Sequence, residues 1–267
     1  LTKFHLGDLR GALTLEKQVL AVRSRTLPAD HPDLQWARGN LASTKLALGD
    51  LRGAESLLEQ VLAVLSETLP AGNRDLQKVR HNLAAAKSGL GDLKGALKLQ
   101  EQVVAEFSKT LRADDLDLLR ARGNLASTKN SLGNLRGALK LQEQVLAARS
   151  EALPEYHLEL QSARGNLART KYALGDLEGA LALQEQVLAV LSKSLPADHL
   201  DLQWARSHLA ATKSSLGDLR GASSLQEQAL ALAETQTNRR KNMKTKTRID
   251  AYELVTQRMI ELLEQGV

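Results

Sequence analysis

Four polar series recur in this sequence at one constant step. Arg38, Arg80, Arg122, Arg164 and Arg206 stand 42 residues apart, as do Lys45, Lys87, Lys129, Lys171 and Lys213. Glu59, Glu101, Glu143, Glu185 and Glu227 keep the same step, and so do Asn40, Asn82, Asn124 and Asn166, with His208 in the next place. Cations facing carboxylates make ion pairs. A carboxamide both donates and accepts, so a row of them suits the main chain of an extended peptide whatever its side chains. Catalytic patterns are missing. His31, His157 and His199 fall in loops of separate repeats, poor geometry for a shared metal, and read as capping or turn residues. There is no His-Glu-x-x-His motif, phosphate-cradling glycine loop or nucleophile elbow. The chain has no cysteine, which excludes disulfides, thiolate metal sites and a cysteine nucleophile. Binding without a cofactor is expected, and enzyme chemistry is not.

These residues need elements to hold them, and the glycines name the elements. Gly7, Gly49, Gly91, Gly133, Gly175 and Gly217 each follow a leucine, and a second series starting at Gly11 keeps the same step and precedes alanine. A fixed period in this range is the mark of a solenoid. Within one period, Leu34, Leu41 and Leu48 form a stripe over residues 33 to 48. Gly49 follows as a left-handed cap, and Asp50 N-caps a second helix over roughly 51 to 68. Pro28 and Pro32 mark the loop that closes the unit. Aromatics make up only 3% of the chain, so the core must rest on Leu, Val and Ala, which suits close helix packing.

"NLASTKLALGDLRGA", with its Leu41-Ala42 pair, Gly49 and Ala54, resembles a tetratricopeptide repeat. The 42-residue period and the "DHPDL" loop are similar to the longer variety found in kinesin light chains. The resemblance covers residues 1 to 235 and implies an all-α, right-handed superhelical solenoid of helix-turn-helix hairpins: an orphan second helix, then five hairpins. In that family the first helix of each hairpin lines a concave groove, where an Asn often holds the ligand backbone. The resemblance therefore nominates Asn40, Asn82, Asn124, Asn166 and His208. It also nominates the varied column Trp36, Lys78, Arg120, Ser162 and Trp204, while Gly39, Gly123 and Gly165 keep the neighbouring surface low. The alternative is that the Asn series satisfies backbone groups between helices. The chain departs from the family where Arg38 and Lys45 and their counterparts replace large apolar or aromatic residues. Stacking the second helix of one unit on the first helix of the next predicts a ladder, Glu59 to Arg80, Glu101 to Arg122, Glu143 to Arg164 and Glu185 to Arg206. The lysines would join it with buried stems and surface heads. The alternative is a more exposed face with solvated charges.

Residues 236 to 248 form a basic linker; "NRRKNMKTKTR" carries six cations and no acid. Residues 249 to 267 read as an amphipathic helix outside the repeat register. "YELVTQRMIELLEQGV" resembles the opening helix of the single-stranded-DNA-binding domain of antirestriction-type proteins, through Tyr252, Val255, Thr256, Met259, Ile260, Leu263, Glu264 and Gly266. A cap on the last hairpin fits the same pattern. The expected function is a protein-protein interaction scaffold that binds a peptide or partner protein in its groove. The alternative is the partner-recruiting part of a larger DNA-directed protein, with nucleic acid engaged only through the linker or a missing C-terminal domain. No apolar run reaches the roughly 18 residues that span a bilayer, and the N-terminus has no signal pattern and no initiating Met. A cytoplasmic piece of something longer is expected.

Overall fold

Each Leu-Gly pair from Leu48-Gly49 onward turns the chain back on itself. Gly49 adopts φ 80°, and Gly91, Gly133, Gly175 and Gly217 lie between 76° and 89°. A side chain is strained there, so glycine is the residue that closes the helix. The Gly49 N–H donates to Leu46 and the Asp50 N–H to Lys45, which satisfies the last free carbonyls. Asp50 then starts the next helix by accepting from the Gly53 N–H at 3.0 Å.

A computed structural model describes residues 8–228. They form α1 (Leu9–Thr26), α2 (Pro32–Ala47), α3 (Leu51–Thr68), α4 (Arg74–Gly89), α5 (Leu93–Thr110), α6 (Leu116–Ser131), α7 (Leu135–Ala152), α8 (Leu158–Ala173), α9 (Leu177–Ser194) and α10 (Leu200–Ser215). The chain is helical again over 219–228, and no strand occurs among the described residues. None of the described helices is long and apolar enough to cross a membrane. Gly7, the linker at 236–248 and the C-terminal segment at 249–267 lie outside the described residues.

The chain divides into two compact units, Leu1–Leu153 and Pro154–Val267. In the first, α1 precedes three hairpins, α2–α3, α4–α5 and α6–α7, and helices adjacent in sequence pack on one another. In the second, α8–α9 is followed by α10 and the helical stretch at 219–228. The packing follows the period. Ala42 and Ala54, both fully buried, let α2 and α3 approach closely, and Leu58 and Val61 of α3 meet Val79 and Leu83 of α4. One cluster thus joins a hairpin to the next. Burying a side chain such as Leu58 stabilises by about 1.5–3 kcal/mol. Val187 and Leu191 of α9 pack with Leu202 of α10 in the same way in the second unit.

Candidate binding groove

The first helix of each hairpin buries one face and opens the other. In α8, Leu160, Ala163, Leu167 and Ala168 are buried, while Ser162, Asn166 and Arg169 are exposed. In α10, Leu202, Leu209 and Ala210 are buried, while Asp201, Trp204 and His208 are exposed. The open faces of α8 and α10 wall a cleft of about 350 Å³, and Val187 and Leu191 of α9 also line it. Asn166, Trp204 and His208, nominated from sequence, all line this cleft, with Gly165 and Arg169 among their neighbours. The Trp204 and His208 rings stand 5.7 Å apart at 37°. Burial, and then the Arg169 charge, hold His208 below the ordinary histidine pKa. It is therefore a neutral donor and acceptor at neutral pH. Arg169 donates to the Asn166 amide oxygen across 3.4 Å, a long and weak bond. Trp204 is 65% exposed, so a large aromatic face is open at the cleft.

In the first unit, the nominated residues occupy the corresponding faces of α2, α4 and α6. Trp36 is 53% exposed, with the Arg23 guanidinium from α1 5.5 Å from its ring centre. Lys78 and Arg120 are exposed, and Arg120 lies 3.8 Å from Asp117. Asn40 and Asn82 are half-buried. Asn124 reaches across to His81 of α4 at 3.4 Å. Burial, reinforced by Arg120 and opposed by Asp117, lowers the His81 pKa. His81 occupies the column of Gly39, Gly123 and Gly165, and its interruption of that column is the signal that could have singled it out.

The expected carboxylate-to-arginine ladder is corrected by the structure. Glu59 meets Lys87, not Arg80, at 2.9 Å, and Lys87 also binds Glu55 at 2.7 Å. Glu101 meets Lys129, not Arg122, at 2.7 Å, and Glu185 meets Lys213, not Arg206, at 3.4 Å. The reason is antiparallel packing. The N-terminal half of α3 lies beside the C-terminal end of α4, where Lys87 is, while Arg80 lies further back. Glu143 and Arg164 belong to different units, and within its own unit Arg164 is held by Glu155, with one N–H···O distance of 2.8 Å. Arg122 and Arg206 instead donate to the loop carbonyls of Ala113 and Ala197, at 3.5 and 3.1 Å. Arg38 donates to Ala29 and to Gln35. Arg38, Arg122, Arg164 and Arg206 thus fasten loops, Lys87, Lys129 and Lys213 join one hairpin to the preceding one, and Lys45 and Lys171 pair with Asp50 and Asp176 at their own turns.

Gln35, Gln77 and Gln161 complete those loops. They are at most 3% exposed, and each side-chain amide donates to the loop carbonyl six residues earlier: Ala29, Ala71 and Glu155. Sequence reasoning passed them over because a polar residue reads as surface; their fixed step was the available signal. His31, His157 and His199 do cap helices, each ring Nδ1 accepting the N–H two residues on. The glycines at 39, 123 and 165 lie inside helices, and a Cβ at any of them would meet nothing within 4 Å. Packing does not require them, although each glycine inside a helix costs about 0.5–1 kcal/mol relative to alanine.

Comparison with known proteins agrees with this architecture. The sequence profile of the family described as "Tetratricopeptide repeat" matches residues 1–67, 75–151 and 159–235. No curated protein matches the chain by sequence. Among solved structures, the chain is similar to a putative kinesin light chain from Podosopora anserina with nearly identical TPR-like repeats. The identity is 31% over 77% of this chain and 98% of that one, with a TM-score of 0.69. BtubC (BKLC) from P. vanneervenii is 20% identical over 86% of this chain and 92% of that one, TM-score 0.70. The apo form of RapI is 12% identical over 76% and 72%, TM-score 0.66. These last two likenesses concern the fold alone.

Proposed function

This chain belongs to the tetratricopeptide repeat family, with repeats like those of kinesin light chains, and from that premise we propose that it is a protein-interaction scaffold whose open first-helix faces hold an extended segment of a partner protein. One observation carries the reading. Asn166, Trp204 and His208, which come from two successive hairpins, line a single cleft. A carboxamide beside an exposed indole and a neutral imidazole can bind main-chain N–H and C=O groups while the ring covers a side chain. In the first unit, Asn40, Asn82 and Asn124 with Trp36, Lys78 and Arg120 offer the same column with different side chains. The amides are general, and the second column supplies selectivity. The fold presents surfaces, and binding is the work assigned to them.

Replacing Asn82, Asn124 and Asn166 together by Ala tests this. Binding of peptides selected on the unaltered chain should fall, while helicity stays nearly intact. Unchanged binding combined with loss of helicity would make the Asn series a structural one and refute the groove reading.

A further inference from the structure

We propose that the outer face of the first unit holds the phosphate backbone of a nucleic acid, without regard to sequence, through Arg52 of α3, Lys94 and Lys98 of α5, and Arg136 and Lys140 of α7. This surface lies on the second helices of the hairpins. It stands or falls independently of the groove.

Packing places it. In the first unit α2 and α4 touch directly, whereas α3, α5 and α7 are linked chiefly through α4 and α6. The second helices thus form the outer side, and all five cations on them are exposed. None has a carboxylate within ion-pair distance among the described residues. The acids close by in sequence are engaged elsewhere. Glu59 and Glu101 bind Lys87 and Lys129, and the capping Asp50 and Asp92 face Lys45 and Lys87. The cap of α7 is the neutral Asn134, so Arg136 and Lys140 keep their full charge.

The helices themselves gain nothing from these charges. A cation in the first turn opposes the helix dipole, which favours an acid there. Lys94 and Lys98, like Arg136 and Lys140, stand four residues apart, with Cβ atoms about 5–6 Å from each other, and such like-charged pairs repel. No acid occupies the first turn of α3, α5 or α7. In the second unit, α9 carries Glu178 and Ala182 at the same two places, the residues a helix prefers. The cations collected on the first unit therefore favour something outside the fold.

The chemistry of the face selects the partner. None of the exposed large apolar side chains lies on α3, α5 or α7. A protein partner or a membrane surface would need such anchors. A phosphate backbone does not: Lys and Arg bind it by displacing counterions, and glutamines add hydrogen bonds to its oxygens. Gln60, Gln102 and Gln144 are exposed further along the same three helices.

The test uses the full chain with the linker cations Arg239, Arg240, Lys241, Lys244, Lys246 and Arg248 changed to Gln, so that they supply no binding. Fluorescein-labelled DNA duplexes of two unrelated sequences are the probes, followed by anisotropy over a series of salt concentrations. Both duplexes should bind alike. Changing Lys94, Lys98, Arg136 and Lys140 together to Gln should weaken binding about tenfold or more at low salt, and lower the slope of log K against log salt by about 3 to 4. The thermal midpoint should not fall, since Gln suits a helix as well as Lys. Changing Arg25, Lys109, Arg112 and Lys193 to Gln removes the same charge from elsewhere and should have a much smaller effect. Absence of binding, equal losses in the two fourfold variants, or an unchanged slope in the first would overturn the proposal. A lowered midpoint in the first would also overturn it, because the charges would then serve the fold. Vesicles of phosphatidylserine and phosphatidylcholine are the second probe; binding to them that depends on the four cations, without binding to duplex, would refute the nucleic-acid assignment.

Discussion

Lys87→Met tests whether the lysines hold neighbouring hairpins together. Methionine keeps most of the aliphatic stem and removes the ammonium, so packing changes little. The ammonium donates to Glu55 at 2.7 Å and to Glu59 at 2.9 Å, and Asp92 stands at 3.8 Å. Burial decides the magnitude. The Lys87 side chain is 18% exposed and Glu55 24%, but Glu59 is 54% exposed. A charge-assisted hydrogen bond is worth about 1.5–3 kcal/mol when sheltered. An exposed ion pair gives about 0.2–1. The Glu55 bond falls between these limits and Glu59 near the lower one, for a total loss of about 1–2 kcal/mol. Urea denaturation followed by circular dichroism measures it. The hydrogen bonds to Glu55 and then Glu59 raise the Lys87 pKa. A raised lysine stabilises fully below its unfolded value of about 10.4, and that contribution disappears as pH rises through the folded value. Wild type should therefore lose stability in alkali more steeply than Lys87→Met. Lys109→Met is the control: its bond to Glu106 is also 2.7 Å, but the lysine is 67% exposed and the partner lies on the same helix. Losses that are equal in both variants, or below about 0.3 kcal/mol at Lys87, would refute the reasoning.

Gln77→Leu should change stability by less than about 1 kcal/mol in the same assay, because Leu119 already fills the equivalent place in α6 at 2% exposure. Gly49→Ala should cost about 1–2 kcal/mol, since φ 80° is left-handed, whereas Gly39→Ala should gain about 0.5–1. In acid, Asp50 reports on its turn. Lys45, and then the Gly53 N–H, hold its pKa below the ordinary carboxylate value. Its contribution is present above the unfolded value of about 3.9 and is lost as pH falls through the folded one. Asp50→Ala should flatten the acid limb of the denaturation midpoint against pH; an unchanged limb would separate Asp50 from acid unfolding.

The parts of the fold that depend on near neighbours in sequence were legible. Helices expected at 33–48 and 51–68 run over Pro32–Ala47 and Leu51–Thr68, because Gly49 and Asp50 cap them through bonds a few residues long. The open column of Asn124 and Asn166 was also readable, as the face turned away from Leu125 and Leu167. The partners of that column were not. Periodicity tells which face of a helix carries Glu59, but it does not tell which end of the next helix lies opposite, so Arg80 and Lys87 could not be separated. Gln77 escaped notice for a different reason: its burial depends on the loop folding back so that the Ala71 carbonyl meets its amide. His81 interrupts a glycine column, and its contact with Asn124 exists only once α4 and α6 are neighbours.

The position of the lysines has a further consequence for how such a chain can change in length. Lys87 sits in the last turn of its helix and touches acids on both sides: Glu55 and Glu59 of the preceding hairpin, and Asp92 at its own turn. Lys213 likewise meets Glu185 and Asp218. Each hairpin thus carries carboxylates on its trailing helix and an ammonium on its leading one. A duplicated 42-residue segment would arrive with both halves of the fastening, and an excised one would leave matching halves facing each other. The joint is indifferent to copy number. The varied column at Trp36, Lys78, Arg120, Ser162 and Trp204 takes no part in these ion pairs. Inserting or deleting a hairpin would therefore redraw the recognition surface while preserving the connection between neighbours.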